Sequence, residues 1–302
     1  MELSIIIVNY NTFKLTKKCI ESVYQYTEGI DFEIILVDNA SIECNADLFN
    51  TSFPAIQLIK SPVNVGFAKG NNLGIAHAQG NYILLLNSDI ELTENSIQIC
   101  LNKLKSDKNI GVVSPMLIYP NGKIQFVANK FPSLSYELIE LFRLNKFLLP
   151  KDFLLGYYFD QKENKEVDWV WGAFFLTTRE VIDRFSNQEL PSKYFMYFED
   201  VAWCHAVKKM GYSIQYIAST KAIHHVSASS NSISTDIINF KKLEKIIINE
   251  TDFWIIEKGK VYTILLFFLR ALKYFSLRTR KDLKIAKIYF NNIPQILNYT
   301  RL

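Results

Sequence analysis

Apolar residues recur along the first third of the chain in two alternating patterns. Uninterrupted β-branched runs, LSIIIVN (3–9), FEIILVD (32–38), AIQLIKS (55–61) and YILLLNSD (82–89), read as strands buried on both faces. Between them the spacing turns helical. Residues 12–27 carry Leu15, Cys19, Ile20, Val23 and Tyr24 on one side, GNNLGIAHAQG (70–80) predicts a helix ended by Gly80, and Ser96–Leu104 is amphipathic. This alternation predicts an α/β fold, with a mostly parallel central sheet flanked by helices.

Ligands of such sheets gather at the carboxyl ends of the strands. Three strands end there in polar groups: Asn9 after the first, Asp38-Asn39 after the second, and Asn87-Ser88-Asp89 after the fourth. Three polar ends on one edge describe a polar cleft.

Beyond residue 120 the pattern weakens. FPSLSYELIELFRLNKFLLPKDF (131–153) has mixed periodicity and is expected to form an excursion over the cleft. VDWVWGAFFLTTREVIDRF (167–185) predicts a strand running into a helix, and a second helix spans about Glu199–Met210, closed by Gly211. The expected division is one α/β domain over 1–256, in two halves that meet at about 115–116. A helical tail over 257–302 follows.

Composition adds one asymmetry. The 302 residues are 49% hydrophobic and carry a net charge of +4. Residues 257–302 hold ten Lys/Arg against two acidic residues, net +8, which leaves −4 for residues 1–256. VYTILLFFLRALKYF (261–275) is too short and too charged to span a bilayer. With the basic SLRTRKDLKIAKIYF (276–290) behind it, it fits a helix lying on an anionic membrane surface. A helical bundle or a homodimer contact are the other readings. The apolar content argues against nucleic acid. Four cysteines without paired spacing favour a reducing compartment, and the opening strand leaves no room for a secretory leader, so the expected location is cytoplasmic, peripheral on the inner face of the plasma membrane.

The chemistry-bearing residues each have two readings. Asp89 is either a turn carboxylate or an oxygen ligand for a hard divalent cation. His224 is either structural or completes the shell of Mn²⁺ or Mg²⁺. Glu199 and Asp200 open a helix behind YFMYF, so they either cap it or supply a general base. For Trp169 and Trp171 the plain reading is core packing.

SIIIVNYNT, EIILVDNAS, NVGFAKGNNLGI, LLLNSDIEL, WGAFFLTTREVI, YFMYFEDVAWCHAVKKMGY and HHVSASS occur in this order over residues 3–235. Together they closely resemble the inverting nucleotide-sugar glycosyltransferases of family 2, in their bacterial rhamnosyltransferase-like branch. The resemblance implies a GT-A fold in which a Rossmann-like nucleotide-binding half runs into an acceptor-binding half, with the C-terminal helical extension lying beyond it. It implies donor-nucleotide contacts from Val8, Asn9, Asp38, Asn39, Asn64, Gly66, Asn71, Asn72 and Ser88. The metal would be held by Asp89 and His224, with His224 preferred to His225 on its spacing to Ser227 and Ser229. Asp200 would be the base, with Glu199 as fallback, and Trp169, Trp171 and Gly172 would line the acceptor. The family's Asp-x-Asp is here Asn87-Ser88-Asp89, one negative charge fewer.

The implied reaction is metal-assisted transfer, by single displacement, of a sugar from a nucleotide diphosphate donor to a hydroxyl. The branch suggests L-rhamnose from dTDP-rhamnose and a bacterial surface glycan, of O-antigen or cell-wall type, on a lipid carrier. The alternatives are a non-catalytic nucleotide-sugar binder, suggested by Asn87, and a nucleotidyltransferase, which VNYNTFKLTKK disfavours because it has no triphosphate loop.

Overall fold

The computed structural model describes residues 1–144, 161–226 and 240–299. These form two compact units, one of residues 1–129 and 161–226, the other of 130–144 and 240–299.

In the first unit, β1 (Leu3–Asn9), β2 (Phe32–Asp38), β3 (Gln57–Lys60) and β4 (Tyr82–Asn87) alternate with α1 (Phe13–Tyr26), α2 (Asp47–Ser52) and α3 (Phe67–Ile75). The strands lie parallel in the order β3-β2-β1-β4. Successive side chains of a strand point to opposite faces. Ile5, Ile6 and Ile7 are all fully buried, so both faces of β1 are covered, as its unbroken apolar run predicts.

The helix expected over 70–80 forms earlier, over 67–75, and the glycines explain the shift. Gly70 and Gly74, four apart on one helix face, lie on β1. A Cβ on Gly74 would stand 2.4 Å from Ile6 Cγ2, and one on Gly70 3.0 Å from Val8 Cγ1. Gly80 ends no helix; it lies against Ser4 at the start of β1.

β5 (Ile90–Leu92), α4 (Ser96–Ser106), β6 (Ile110–Ile118), β7 (Lys165–Val167), β8 (Phe174–Thr178), α6 (Arg179–Asp183), α7 (Glu199–Lys209) and β9 (Ser213–His224) complete this unit. β8 runs antiparallel to β4 and β6, and the sheet continues through β9 to β5. β9 is long and irregular. Its register against β6 shifts between Pro115 and Met116, where Ile217 gives way to Lys221 as partner. Before the shift β9 pairs with β7, and after it with β5, setting His224 opposite Ile90. The histidine therefore arrives one residue from Asp89.

The second unit holds α5 (Leu134–Leu141), α8 (Phe240–Lys258), α9 (Lys260–Leu277) and α10 (Arg280–Leu297). The expected boundary at 256 falls inside α8. Of the expected excursion, Leu134–Leu141 is a helix of this unit, and residues 145–160 lie outside the described residues. Trp254, Leu266, Phe267 and Ile296 form its apolar core. An ionic cluster is buried within it. Arg270 Nε donates to Glu137 Oε1 at 2.7 Å and Nη1 to Glu250 Oε1 at 2.6 Å, while Lys273 Nζ reaches Glu137 at 2.8 Å and Glu140 at 2.6 Å. Burial raises the Glu137 pKa, but Arg270 and Lys273 outweigh that and hold it below the ordinary range. Burial would likewise lower Lys273, yet Glu137 and Glu140 leave it raised. Two of the cations assigned to a basic surface are thus neutralised inside the unit. Among the described residues no helix is long and apolar enough to cross a membrane.

Candidate active site

The three polar strand ends meet on one edge. Asn9 is paired with Asp38 across β1 and β2, and Val8 with Asn87 across β1 and β4. Asn9 Nδ2 donates to Asp38 Oδ1 at 2.8 Å and to Ser41 Oγ at 2.9 Å. Its Oδ1 accepts from the Thr12 and Thr16 hydroxyls at 2.9 and 2.8 Å. Thr12 Oγ1 also lies 3.0 Å from Ser88 Oγ. Asn9 is fully buried with both amide hydrogens engaged, so it orients the Asp38 carboxylate. Ser41 and Thr12, which the pattern reading passed over, complete this network.

Next to it, the side chain of Asn39 pins the 64–66 loop. Its Nδ2 donates to Asn64 Oδ1 and to Gly66 O, and its Oδ1 accepts from Val65 N–H. Gly66 has φ +87°, and a Cβ there would lie 2.4 Å from Phe195 O, so both conformation and space require glycine. Asn71 Nδ2 bonds back to Phe67 O. Asn72 clamps the backbone of Leu190, donating to its carbonyl at 2.8 Å and accepting from its N–H at 3.0 Å.

Asp89 and His224 come together. Asp89 Oδ1 lies 3.3 Å from His224 Nε2, both side chains mostly buried. Gln125 decides which ring nitrogen carries hydrogen. Its Nε2 donates to His224 O at 2.9 Å, which turns its Oε1 toward His224 Nδ1 at 2.8 Å. An amide oxygen only accepts, so a hydrogen sits on Nδ1 and the ring aims its Nε2 at the carboxylate. With Nε2 as a bare ligand nitrogen, two acceptors would face each other, an arrangement that a cation between them would relieve. Adjacent ligands of an octahedral shell at about 2.1 Å stand about 3 Å apart, so the pair fits a divalent cation. The Gln125 contact is the outer partner that metal-bound imidazoles use. Among the described residues no three His, Cys, Asp or Glu side chains gather, so further ligands would come from substrate or water. Asn87, the replaced acid, has a buried Oδ1 with no hydrogen-bond partner. His225 is engaged elsewhere, 2.9 Å from Glu91 Oε2, which also pairs with Lys18. Ser227 and Ser229, used to choose between the histidines, lie outside the described residues.

The carboxylate pair is set by an unusual turn. Tyr197 and Phe198 both have positive φ, 72° and 79°, at a cost of about 1–3 kcal/mol each. Asp200 Oδ2 then accepts from Gly172 N–H at 3.3 Å and Oδ1 from Val201 N–H at 2.9 Å, while Glu199 is buried. Three consecutive residues tie the parts together. The Trp171 ring meets His224 edge-on at 6.1 Å, Gly172 holds Asp200, and Ala173 O accepts from Asn87 N–H at 2.9 Å. Trp169 is half-buried and pairs through its backbone with Asn129. Cys19 and Cys204 lie beneath the two acidic groups. Burial, with Asp89 and Asp200 adding, pushes both thiols far up, so they stay neutral.

A parallel half-sheet continued by mixed strands, carrying an acid at the end of its fourth strand and a carboxylate pair on a later helix, defines a GT-A glycosyltransferase fold. Residues 4–185 match glycosyl transferase family 2, and the chain belongs to that family. It is therefore an enzyme that transfers a sugar from a nucleotide donor. It is 27% identical to the low-salt glycan biosynthesis hexosyltransferase Agl10 of Haloferax volcanii over 229 residues, 74% of this chain and 67% of that protein. It is 22% identical to the N-acetylglucosaminyl-diphospho-decaprenol L-rhamnosyltransferase of Mycobacterium tuberculosis, over 76% of this chain and 77% of that one. In fold it is similar to the mannosyltransferase PcManGT of Pyrobaculum calidifontis, solved with GDP-Man and Mn²⁺. The TM-score is 0.52 at 13% identity, over 98% of this chain and 73% of that one.

Proposed function

We propose that this glycosyltransferase moves a hexose or deoxyhexose, L-rhamnose from dTDP-rhamnose first, onto a hydroxyl of a lipid-linked bacterial surface glycan, with inversion. The observation that carries the mechanism is the 171–173 run, whose neighbours are His224, Asp200 and Asn87. The rhamnosyl donor and lipid-linked acceptor are supported by the mycobacterial relative.

Asp38, oriented by Asn9, accepts from the imide N–H of a pyrimidine base. Asn39, Asn64 and Gly66 shape the loop against the nucleotide, with Asn72 bracing it through Leu190. Asp89 and His224 would hold a divalent cation, Mn²⁺ favoured over Mg²⁺ by the imidazole, which would supply charge neutralisation to the departing diphosphate. Asp200 takes the proton of the acceptor hydroxyl as its oxygen attacks the anomeric carbon opposite the leaving group. The bond to diphosphate breaks as the new glycosidic bond forms, in one displacement. Gly172 N–H holds Asp200 Oδ2 and Val201 N–H holds Oδ1, and together they fix the carboxylate that meets the acceptor. Trp171 and Trp169 offer apolar ring surface to the acceptor sugar. The enzyme works at the cytoplasmic face of the membrane that carries its acceptor.

A panel of dTDP-, UDP- and GDP-sugars with Mn²⁺, Mg²⁺ or chelator, scored by nucleoside diphosphate release, tests this reading. Release from dTDP-rhamnose that chelator abolishes supports it. Equal release in chelator removes the cation from the mechanism, and no release from any donor removes catalysis.

A further inference from the structure

The helical unit carries an apolar seam that nothing in the described residues covers. On α9 the residues Val261, Leu265, Phe268, Leu272 and Phe275 follow a four-three-four-three spacing, which sets them in one stripe along the helix. Val261 is 73% exposed and Phe275 59%, values typical of neither a core nor a helix contact. The opposite side of α9 carries the buried Leu266, Phe267, Arg270 and Ala271. On α10, Leu283, Phe290 and Leu297 repeat every seven residues and are also exposed. The Phe268 and Phe290 rings lie 6.1 Å apart, edge to face, so the two stripes join into one surface.

Charge decides what covers it. Arg270 and Lys273 are neutralised internally. Lys241, Lys245, Lys258 and Lys260 are exposed elsewhere on the unit, but the densest group of exposed cations is at the α9–α10 corner: Arg278, Arg280, Lys281, Lys284 (its Nζ over the Phe240 ring) and Lys287, within ten residues. Asp282 is the one acid among them, and it is held by the Thr279 cap. A second copy of this chain would set one basic corner against another, or leave both unpaired. A bilayer with anionic headgroups takes apolar side chains into its acyl boundary and cations at its surface together.

We propose that the joined stripes of α9 and α10 are a monotopic membrane-binding face, and that the 278–287 cations select anionic lipid. This deepens the placement of the enzyme at the membrane of its lipid-linked acceptor. It requires no helix to cross the bilayer.

The test is co-sedimentation of the full chain with vesicles of phosphatidylcholine alone, or with a third of the lipid replaced by phosphatidylglycerol. Binding to the anionic vesicles at least ten-fold tighter than to the neutral ones is expected. Phe268→Glu with Leu265→Glu should abolish it. Lys281→Gln with Lys284→Gln should weaken it by about five-fold per charge removed, and raised salt should weaken it as well. All these positions are exposed, so donor turnover with a soluble acceptor mimic should stay within two-fold of wild type. Equal binding to both vesicles, or none to either, overturns the proposal. So does a dimer in light scattering that Phe268→Glu disperses while vesicles are ignored. Loss of turnover in the wild type would instead strike the catalytic reading.

Discussion

Gly172 donates its backbone N–H to Asp200 Oδ2 at 3.3 Å. The residue before it touches His224, and the residue after it holds Asn87. One short loop thereby fixes the proposed base relative to the proposed cation ligand, and the substitutions below probe each part separately.

Asp200→Asn keeps an oxygen for the Gly172 N–H and removes the proton acceptor. Transfer should fall by about 10²–10⁴-fold, with donor affinity, read by calorimetry, within a few-fold of wild type. Near-normal turnover would move the base elsewhere, Glu199 being the first candidate.

Gln125→Leu removes the partner that fixes the His224 ring. Mn²⁺ affinity, followed by electron paramagnetic resonance in the presence of nucleoside diphosphate, should drop by about 10–100-fold. Gln125→Glu keeps an acceptor toward Nδ1 and should retain more affinity than Leu. Unchanged affinity in Gln125→Leu would deny the clamp any part in metal binding.

Asn87→Asp restores a carboxylate where a buried amide oxygen has no partner. Tighter Mn²⁺ binding is expected in the same assay. Weaker binding would show that the amide is preferred for its neutrality.

Gly66→Ala forces a side chain into Phe195 O from a positive-φ backbone. Donor affinity should fall about ten-fold or more, and thermal stability by roughly 1–3 kcal/mol. Wild-type values for both would mean the loop does not hold this conformation.

The helical unit should be stable across neutral pH. The Glu137 pKa is lowered on folding, so its contribution is complete above the unfolded value of about 4.3 and is lost as pH falls through the folded value. Lys273 is raised, so its contribution is complete below about 10.4 and is lost as pH rises through the folded value. The melting temperature should be flat between about pH 5 and 9 and fall below pH 4. In Glu137→Gln that acid dependence should flatten, on a lower baseline.

Much of this was legible in the chain. β1 and β2 begin and end at the residues their apolar runs mark, because a strand buried on both faces leaves no ambiguity of period. The polar residues that stop those runs share an edge because the parallel register aligns them. Other features had no local signal. Gln125 lies 99 residues from the histidine it clamps, and Asn72 lies 118 from Leu190. Nothing in the helical reading of 70–80 showed that Gly70 and Gly74 lie against β1. Arg270 and Lys273 counted as surface charge because Glu137 and Glu140, far back in a stretch of mixed periodicity, could not be paired with them from sequence.

The most direct test of the shared site is calorimetric binding of nucleoside diphosphate, with and without Mn²⁺, to Asp89→Ala, His224→Ala and Asp200→Asn. The Mn²⁺-dependent gain in affinity should vanish in the first two and persist in the third. A gain that survives in Asp89→Ala, or disappears in Asp200→Asn, would contradict the division of labour between the cation pair and the base.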